Sequence, residues 1–439
     1  MARPWFDKLT LTFLGQWFFP LSRLWAAARA ANGSVERFFE EVPITPAHGL
    51  DAKIHSALMK FEHARGVASA TEKQWEPAFF ANKGVGQEDL VALEIERLKN
   101  RASYNETRRH FAFLRRHDGV PAVRWEISTP VELANEYARV LRAPTELFAP
   151  PDPMPEVSVS RKIPTASGTD YWLRFQSPSQ RMGDEVVARV HEPRGVVNPA
   201  TVVFLHGICV EFDHWHGMID EVSEFCRMGI RVVRPEAPWH GRRVPPGRYG
   251  GERFIGSMPL GSLEFFSAQV REASVLLDWC RRNTDGPVAL GGSSLGAHVA
   301  RATASWAGNW PRHLHPDALF LVTPCGRLED AAVEGSFARV WGTAEAASAH
   351  GWAPELRSKW LALIDPPVSP VVPPERIVAV LGNQDSVTPF ASGKLLIEDL
   401  GLPEENIFIW EQGHFTIPLR LVRNKLPLRR FHSVLNGAR

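Results

Sequence analysis

The spacing of apolar residues changes character near residue 156. Before it, apolar positions recur at helical intervals. In "STPVELANEYARVLRA" (128–143) Thr129 can cap, Pro130 suits the first helical position and Glu132 completes a capping box, with Leu133, Tyr137, Val140 and Leu141 on one face. "QEDLVALEIERLKNR" (87–101) places Val91, Ile95 and Leu98 on a common face. Residues 1–143 therefore read as mostly helical, with no internal repeat and no catalytic constellation. The stretch "RAPTELFAPPDPMPEV" carries five prolines between Pro144 and Pro155, which remove backbone donors and disfavour helix in the residues before them. It divides the chain into a helical region, 1–150, and a second region, 156–439.

Beyond that boundary, "VSVSRKIP" (157–164), "YWLRFQS" (171–177) and "EVVARVHE" (185–192) read as antiparallel strands. Short apolar runs then alternate with helical patterns. "TVVFLHG" (201–207) and "IRVVRPEAP" (230–238) are strands, followed by a helix at 262–282 with Phe266, Val270, Ala273 and Leu277 on one face. Strand "PVALGGSS" (287–294), helix 295–308, strand "ALFLVTP" (318–324), strand "RIVAVLGNQD" (376–385), helix 393–400, strand "NIFIWEQGH" (406–414) and a C-terminal helix complete the order. Continuous apolar strands alternating with helices predict an α/β fold, a buried and mostly parallel sheet flanked by helices. Residues 326–374 interrupt the rhythm with helical segments that end in "DPPVSPVVPP". Such an insertion would lie over the carboxyl edge of the sheet, where open α/β folds bind ligands, and is expected to be a lid.

Composition narrows the classes of function. The 439 residues are 44% hydrophobic and 23% charged, an ordinary globular balance. A formal net charge of +1 lacks the basic excess of a nucleic-acid-binding surface. The four cysteines, 209, 226, 280 and 325, have no C-x-x-C spacing and read as reduced thiols, which fits a cytoplasmic protein. The aromatic-rich segment at residues 4–30 is broken by Asp7, Lys8, Gly15, Gln16 and Pro20 and is neither a signal peptide nor a membrane span. It reads as a helical arm. Residues 1–30 would contact their own protein, another copy of the chain or, peripherally, a membrane surface.

The chemistry gathers at Gly292-Ser293-Ser294-Leu295-Gly296. A sharp strand–turn–helix elbow that exposes a nucleophile needs small residues two before and two after it. Only Ser294 has glycine at both positions; centring on Ser293 would need glycine where Leu295 stands. The amide of Leu295 would supply one oxyanion donor. The other would come from the loop after "VVFLHG", where Gly207 permits close approach and the amide of Ile208, or of Cys209, can turn inward. The acid and base should follow the serine in that order, each after a strand. Asp385 in "LGNQDSVTP" and His414 in "EQGH" meet both conditions, and Asp330 is the reserve acid.

Together "FLHG", "GGSSLGAH", "LGNQDSVTP" and "EQGH", in this order, resemble the α/β-hydrolase superfamily over roughly residues 156–439. The resemblance implies a serine hydrolase requiring neither metal nor organic cofactor. The loop "RPEAPWHGRR" (234–243) departs from the superfamily's usual framing at Glu236 and His240 and is similar to a divergent branch with an N-terminal helical extension. His214, His216 and Asp213 match no metallohydrolase spacing, and Trp215, Trp239 and His240 are expected to line a substrate pocket. The expected activity is hydrolysis of carboxylic esters, small molecules of hydrophobic or lipid-like character, through a Ser294–Asp385–His414 triad and an acyl-enzyme. Carbon–carbon bond hydrolysis of a diketone-like substrate by the same triad is the first alternative. A non-catalytic binding or membrane-associated scaffold is the second.

Overall fold

The computed structural model describes residues 5–45, 49–81, 84–115, 117, 120–209, 221–365 and 369–437. Ten strands form one sheet: β1 (Ser158–Val159), β2 (Ile163–Pro164), β3 (Gly168–Gln176), β4 (Glu185–Pro193), β5 (Thr201–Leu205), β6 (Arg231–Pro235), β7 (Val288–Ser293), β8 (Leu319–Val322), β9 (Ile377–Gly382) and β10 (Ile407–Trp410). Their order is β1-β3-β4-β6-β5-β7-β8-β9-β10, with β2 beside β3. The pairs from β1 to β6 are antiparallel, and from β6 through β10 every pair is parallel. This is the mixed sheet expected from the sequence, with its parallel block where the apolar runs are unbroken.

Strand periodicity sends alternate residues to opposite layers. Val203 and Leu205 join the main core with the helices Leu260–Asn283 and Leu295–Trp306. Val202 and Phe204 face the other way, into a layer closed by Phe225 and by Leu428, Phe431 and Leu435 of the C-terminal helix Leu426–Asn436. Both faces are dry, which is why these strands are apolar throughout.

The N-terminal region is helical, and the Thr129–Glu132 capping box is present. Two expectations need correction. The helical pattern at 128–143 breaks at Tyr137, which leaves helical geometry to seat its ring in the main core while its hydroxyl donates to Glu264 at 3.2 Å. In the helix Gln87–Glu106 the buried face is Leu90, Glu94 and Arg97, whereas Ile95 is 62% exposed. Arg97 pairs with Glu94 at 2.8 Å and stacks over Trp75, so an ion pair and a cation–π contact occupy the interface where an apolar stripe was expected.

The first helix, Trp5–Phe13, runs through a short π-helical segment into Phe19–Ala31. Arg23, fully buried, meets the fully buried Glu252 through two contacts of 3.1 Å and donates to the Gly247 carbonyl at 2.7 Å. Glu252 also accepts from the amides of Arg124 and Tyr249. The arm is thereby bolted to the segment that follows β6. The insertion after β8 contains the helices Leu328–Ala332, Ser336–Trp341, Thr343–Ala349 and Pro354–Leu361. Its Asp365 carboxylate accepts from the Leu328 amide at 3.0 Å and Arg301 at 3.3 Å, and lies 2.7 Å from His298 Nε2, which ties both ends of the insertion to the helix Leu295–Trp306.

Removing one partner of a buried pair strands the other charge. Arg23→Ala is expected to lose about 3–5 kcal/mol, read as a lower urea midpoint at unchanged slope.

Candidate functional site

The turn between β7 and the helix Leu295–Trp306 is built on close backbone approach. Ser294 sits at φ 56°, ψ −120°, a conformation strained for any residue with a side chain. A Cβ at Gly292 would fall 2.3 Å from the Gly296 carbonyl carbon, and one at Gly296 would fall 2.1 Å from the Leu205 carbonyl oxygen. Glycine is therefore required at both positions. Ser293 remains in register on β7, paired with Val322, so the structure separates the two serines into a strand residue and a turn residue.

Gly207 lies beside this turn: a Cβ there would be 3.4 Å from Ser294 Cβ and 3.9 Å from its Oγ. Leu295 opens its helix, so its amide has no carbonyl one turn earlier to donate to. In the facing loop the Cys209 amide donates to His240 Nε2 at 3.1 Å, so of the two candidate amides there Ile208 is the one without a hydrogen-bond partner among the described residues. His240 Nδ1 lies 2.8 Å from the Pro238 carbonyl, which can only accept, so this nitrogen carries the proton. His206 is used in the same way: Nδ1 donates to the Gly207 carbonyl at 2.7 Å and Nε2 accepts from the Ala237 amide at 3.1 Å. Burial and the neighbouring His240 hold His206 well below the ordinary histidine range.

Past the ends of β9 and β10, Asp385 Oδ2 lies 2.7 Å from His414 Nδ1. Asp385 Oδ1 accepts from the amides of Val387 at 2.9 Å and Thr388 at 3.0 Å, and the Thr388 hydroxyl lies 2.9 Å from Oδ2. The carboxylate can only accept, so His414 holds its proton on Nδ1 and leaves Nε2 with a lone pair. Burial pushes the His414 imidazole down, but the charge of Asp385, its hydrogen bond and the more distant Asp7 outweigh burial and hold it above the ordinary range. No hydrogen bond joins Ser294 Oγ to His414 among the described residues; in unliganded sites such bonds are often long and tighten with substrate. Asp330 is engaged elsewhere, by Ser392 and Arg327.

Of the residues expected to line a pocket, Trp215 lies outside the described residues. Trp239 is buried in the main core, 6.2 Å from the Phe265 ring. His240 is buried with both ring nitrogens occupied, so it braces the Ile208–Cys209 turn and has no free nitrogen to offer a ligand. Glu236, the other departure in this loop, accepts from the Arg242 amide at 3.0 Å, and Arg242 reaches Glu72 of the helix Leu50–Phe80 at 2.6 Å.

A separate apolar cluster surrounds the site loops. Phe19, Ala26, Tyr249, Phe337 and Val387 form its buried part, and Ile208, Cys209, Trp341 and Phe415 pack against it. Phe19 lies 5.1 Å from Trp341, and Phe337 lies 5.5 Å from Phe415. The arm and the insertion thus meet over the loops that carry Ile208, Asp385 and His414. The insertion was expected over this edge; sequence reasoning did not bring the arm to it, and it missed Thr388 and Asp7. The only trace of Asp7 is an acid inside an aromatic run; Thr388 stands three residues after Asp385.

A raised folded-state pKa stabilises the protein fully below the ordinary histidine value, and that contribution fades as pH rises through the folded value. Asp385→Asn should therefore lower stability most at about pH 6 and progressively less toward about pH 9, read from urea midpoints of both proteins across that range.

Several solved structures are similar to the chain. An acetyl xylan esterase from Paenibacillus sp. R4 superposes with a TM-score of 0.49 at 16% identity, covering 72% of this chain and 96% of that one. Acetyl xylan esterase 1 from Thermoanaerobacterium sp. JW/SL YS485 gives 0.45 at 13%, covering 71% and 96%. An S-formylglutathione hydrolase from Agrobacterium tumefaciens gives 0.41 at 16%, covering 63% and 99%. No curated protein matches the chain at a significant level. Residues 202–421, half of the chain, match the model of the alpha/beta hydrolase family, and with the sheet order and the elbow already described this chain belongs to that family.

Proposed function

We propose that the protein is a serine hydrolase of carboxylic esters, with Ser294 as nucleophile, His414 as base and Asp385 as its orienting acid. The observation that carries the reading is the 2.7 Å His414–Asp385 pair, which fixes the imidazole tautomer at the sheet edge that also presents the strained Ser294. In the proposed cycle His414 Nε2 takes the proton of Ser294 Oγ as that oxygen attacks the acyl carbonyl. The oxyanion is met by the amides of Leu295 and Ile208, each donor of this kind contributing roughly 3–4 kcal/mol to the transition state. The alcohol leaves with the proton returned by His414. Water, deprotonated by the same nitrogen, then attacks the acyl-enzyme, and collapse frees the acid and restores Ser294.

The aromatic cluster of Phe19, Phe337, Trp341 and Phe415 beside the site supports a hydrophobic acyl group. The outer face of the arm supports delivery from a lipid surface. Trp5, Leu9, Phe13 and Trp17 follow one another at four-residue spacing and are 54%, 58%, 56% and 40% exposed. Lys8 is exposed on the same helix, and Arg115 stacks on the Trp17 ring at 3.5 Å. The only acid of that helix, Asp7, is on the opposite, buried face. Aromatic and apolar side chains flanked by cations fit an anionic interface. No described helix is long and apolar enough to cross a membrane, so the contact would be peripheral.

Two measurements test these readings. A fluorophosphonate should label the wild type and not Ser294→Ala, with p-nitrophenyl ester turnover falling at least about 10³-fold in the variant. Retained labelling would move the nucleophile elsewhere, and turnover confined to a β-diketone panel would select carbon–carbon cleavage. In co-sedimentation with phosphatidylglycerol-containing vesicles, the combined Trp5→Ser, Leu9→Ser and Phe13→Ser variant should bind more than about tenfold more weakly than wild type. Equal binding would remove the arm's interfacial role.

A further inference from the structure

Asp7 lies 408 positions from Phe415 in the sequence, yet it touches the turn that carries His414. The Phe415 amide donates to Asp7 Oδ2 at 3.1 Å. A Cβ at Gly413 would stand 2.2 Å from that same oxygen, so the carboxyl fills the space a side chain at 413 would take. Asp7 thus grips the residues on both sides of His414. Its other oxygen, Oδ1, is buried with no hydrogen-bond partner among the described residues. A carboxyl that is 7% exposed with one oxygen unpaired costs stability, so folding alone does not account for its place.

Among the described residues, two charged groups face His414. Asp385 bonds Nδ1 from the loop after β9, and Asp7 approaches from the first helix. The insertion offers the Phe337 ring to this turn, 5.5 Å from Phe415, and the Thr388 hydroxyl lies 3.3 Å from Nδ1. We propose that Asp7 is a positioning residue for His414, pinning the backbone of its turn and setting a second negative charge beside the ring when the imidazolium forms. This rests on the hydrolytic reading of Ser294. Burial pushes the Asp7 carboxyl up, against the pull of the Phe415 amide and His414, and the Asp385 charge adds to the rise.

The test uses the full chain with Asp7→Asn, which keeps the shape and an acceptor but removes the charge, and Asp7→Ala, which removes both. The His414 ring is titrated by NMR, its signal assigned with His414→Asn. In Asp7→Asn its midpoint should fall by about half a pH unit or more. The acid limb of the ester kcat/KM profile should move down with it, and kcat should fall about tenfold with KM little changed. Asp7→Ala should lose more kcat. Should either variant lose its fold, Asp7→Ser supplies the same two readings. An unchanged His414 titration together with wild-type kcat in Asp7→Asn overturns the inference while leaving the hydrolase reading intact. A wild type without turnover or fluorophosphonate labelling sinks the hydrolase reading instead, and the NMR titration still decides whether Asp7 acts on His414.

Discussion

The turn at Ser294 is the constraint around which the rest of the molecule is arranged. A residue with a side chain is held at φ 56°, ψ −120°, and only tight packing on every side keeps it there. The helix that follows passes so close to β5 that Gly296 has no room for a methyl group against the Leu205 carbonyl. That proximity locks the end of β5, and with it the Gly207–Ile208 loop, against the serine. The parallel order β5-β7-β8-β9-β10 then determines which loops can reach the same edge. Asp385 and His414 come from the two strands farthest along that order. They meet because each loop turns back toward the elbow, with Thr388 bridging the Thr323 carbonyl and Asp385.

Histidines near this edge have different fates, and their neighbours decide them. His206 and His240 each spend both nitrogens on backbone groups, and their rings lie 4.9 Å apart. Burial and the neighbouring imidazole hold His206 well below the ordinary histidine range, and the backbone contacts of both rings make them struts. His414 has a carboxylate on one nitrogen and none of the described groups bonded to the other. It is the ring whose charged form is stabilised, which a base must have in order to hold a proton during turnover.

These differences explain what could be read from the chain. The succession of strands and helices along the chain, the choice of Ser294 over Ser293 and the Asp385–His414 sequence rest on local signals: periodicity, glycine spacing and position after a strand. The pairing of β4 with β6 and the contact between the arm and the insertion depend on which surfaces meet, and no local pattern encodes that. The face of Gln87–Glu106 was misjudged because hydrophobicity marks a core only where the partner is apolar. There the partners were Trp75, Glu72 and Arg189, which favour a charged helix face. His240 spends both ring nitrogens on backbone groups, a bracing role that its residue type does not reveal. Trp215 falls outside the described residues, so its place in the pocket stays a proposal.

The arm shows why a domain boundary drawn from prolines divides less than it suggests. Arg23 and Asp7 are polar residues on helices otherwise rich in Phe, Leu and Trp, and each is buried against a distant segment. A helix that needed only an apolar seat would carry neither, since an apolar side chain could fill either space without a desolvation cost. The charged contacts tie the arm to distant segments, while the Trp5–Leu9–Phe13 face is exposed. The same short helix thus carries the exposed apolar face and the carboxyl that meets the turn of His414, bringing residues 408 positions apart in the sequence into one hydrogen bond.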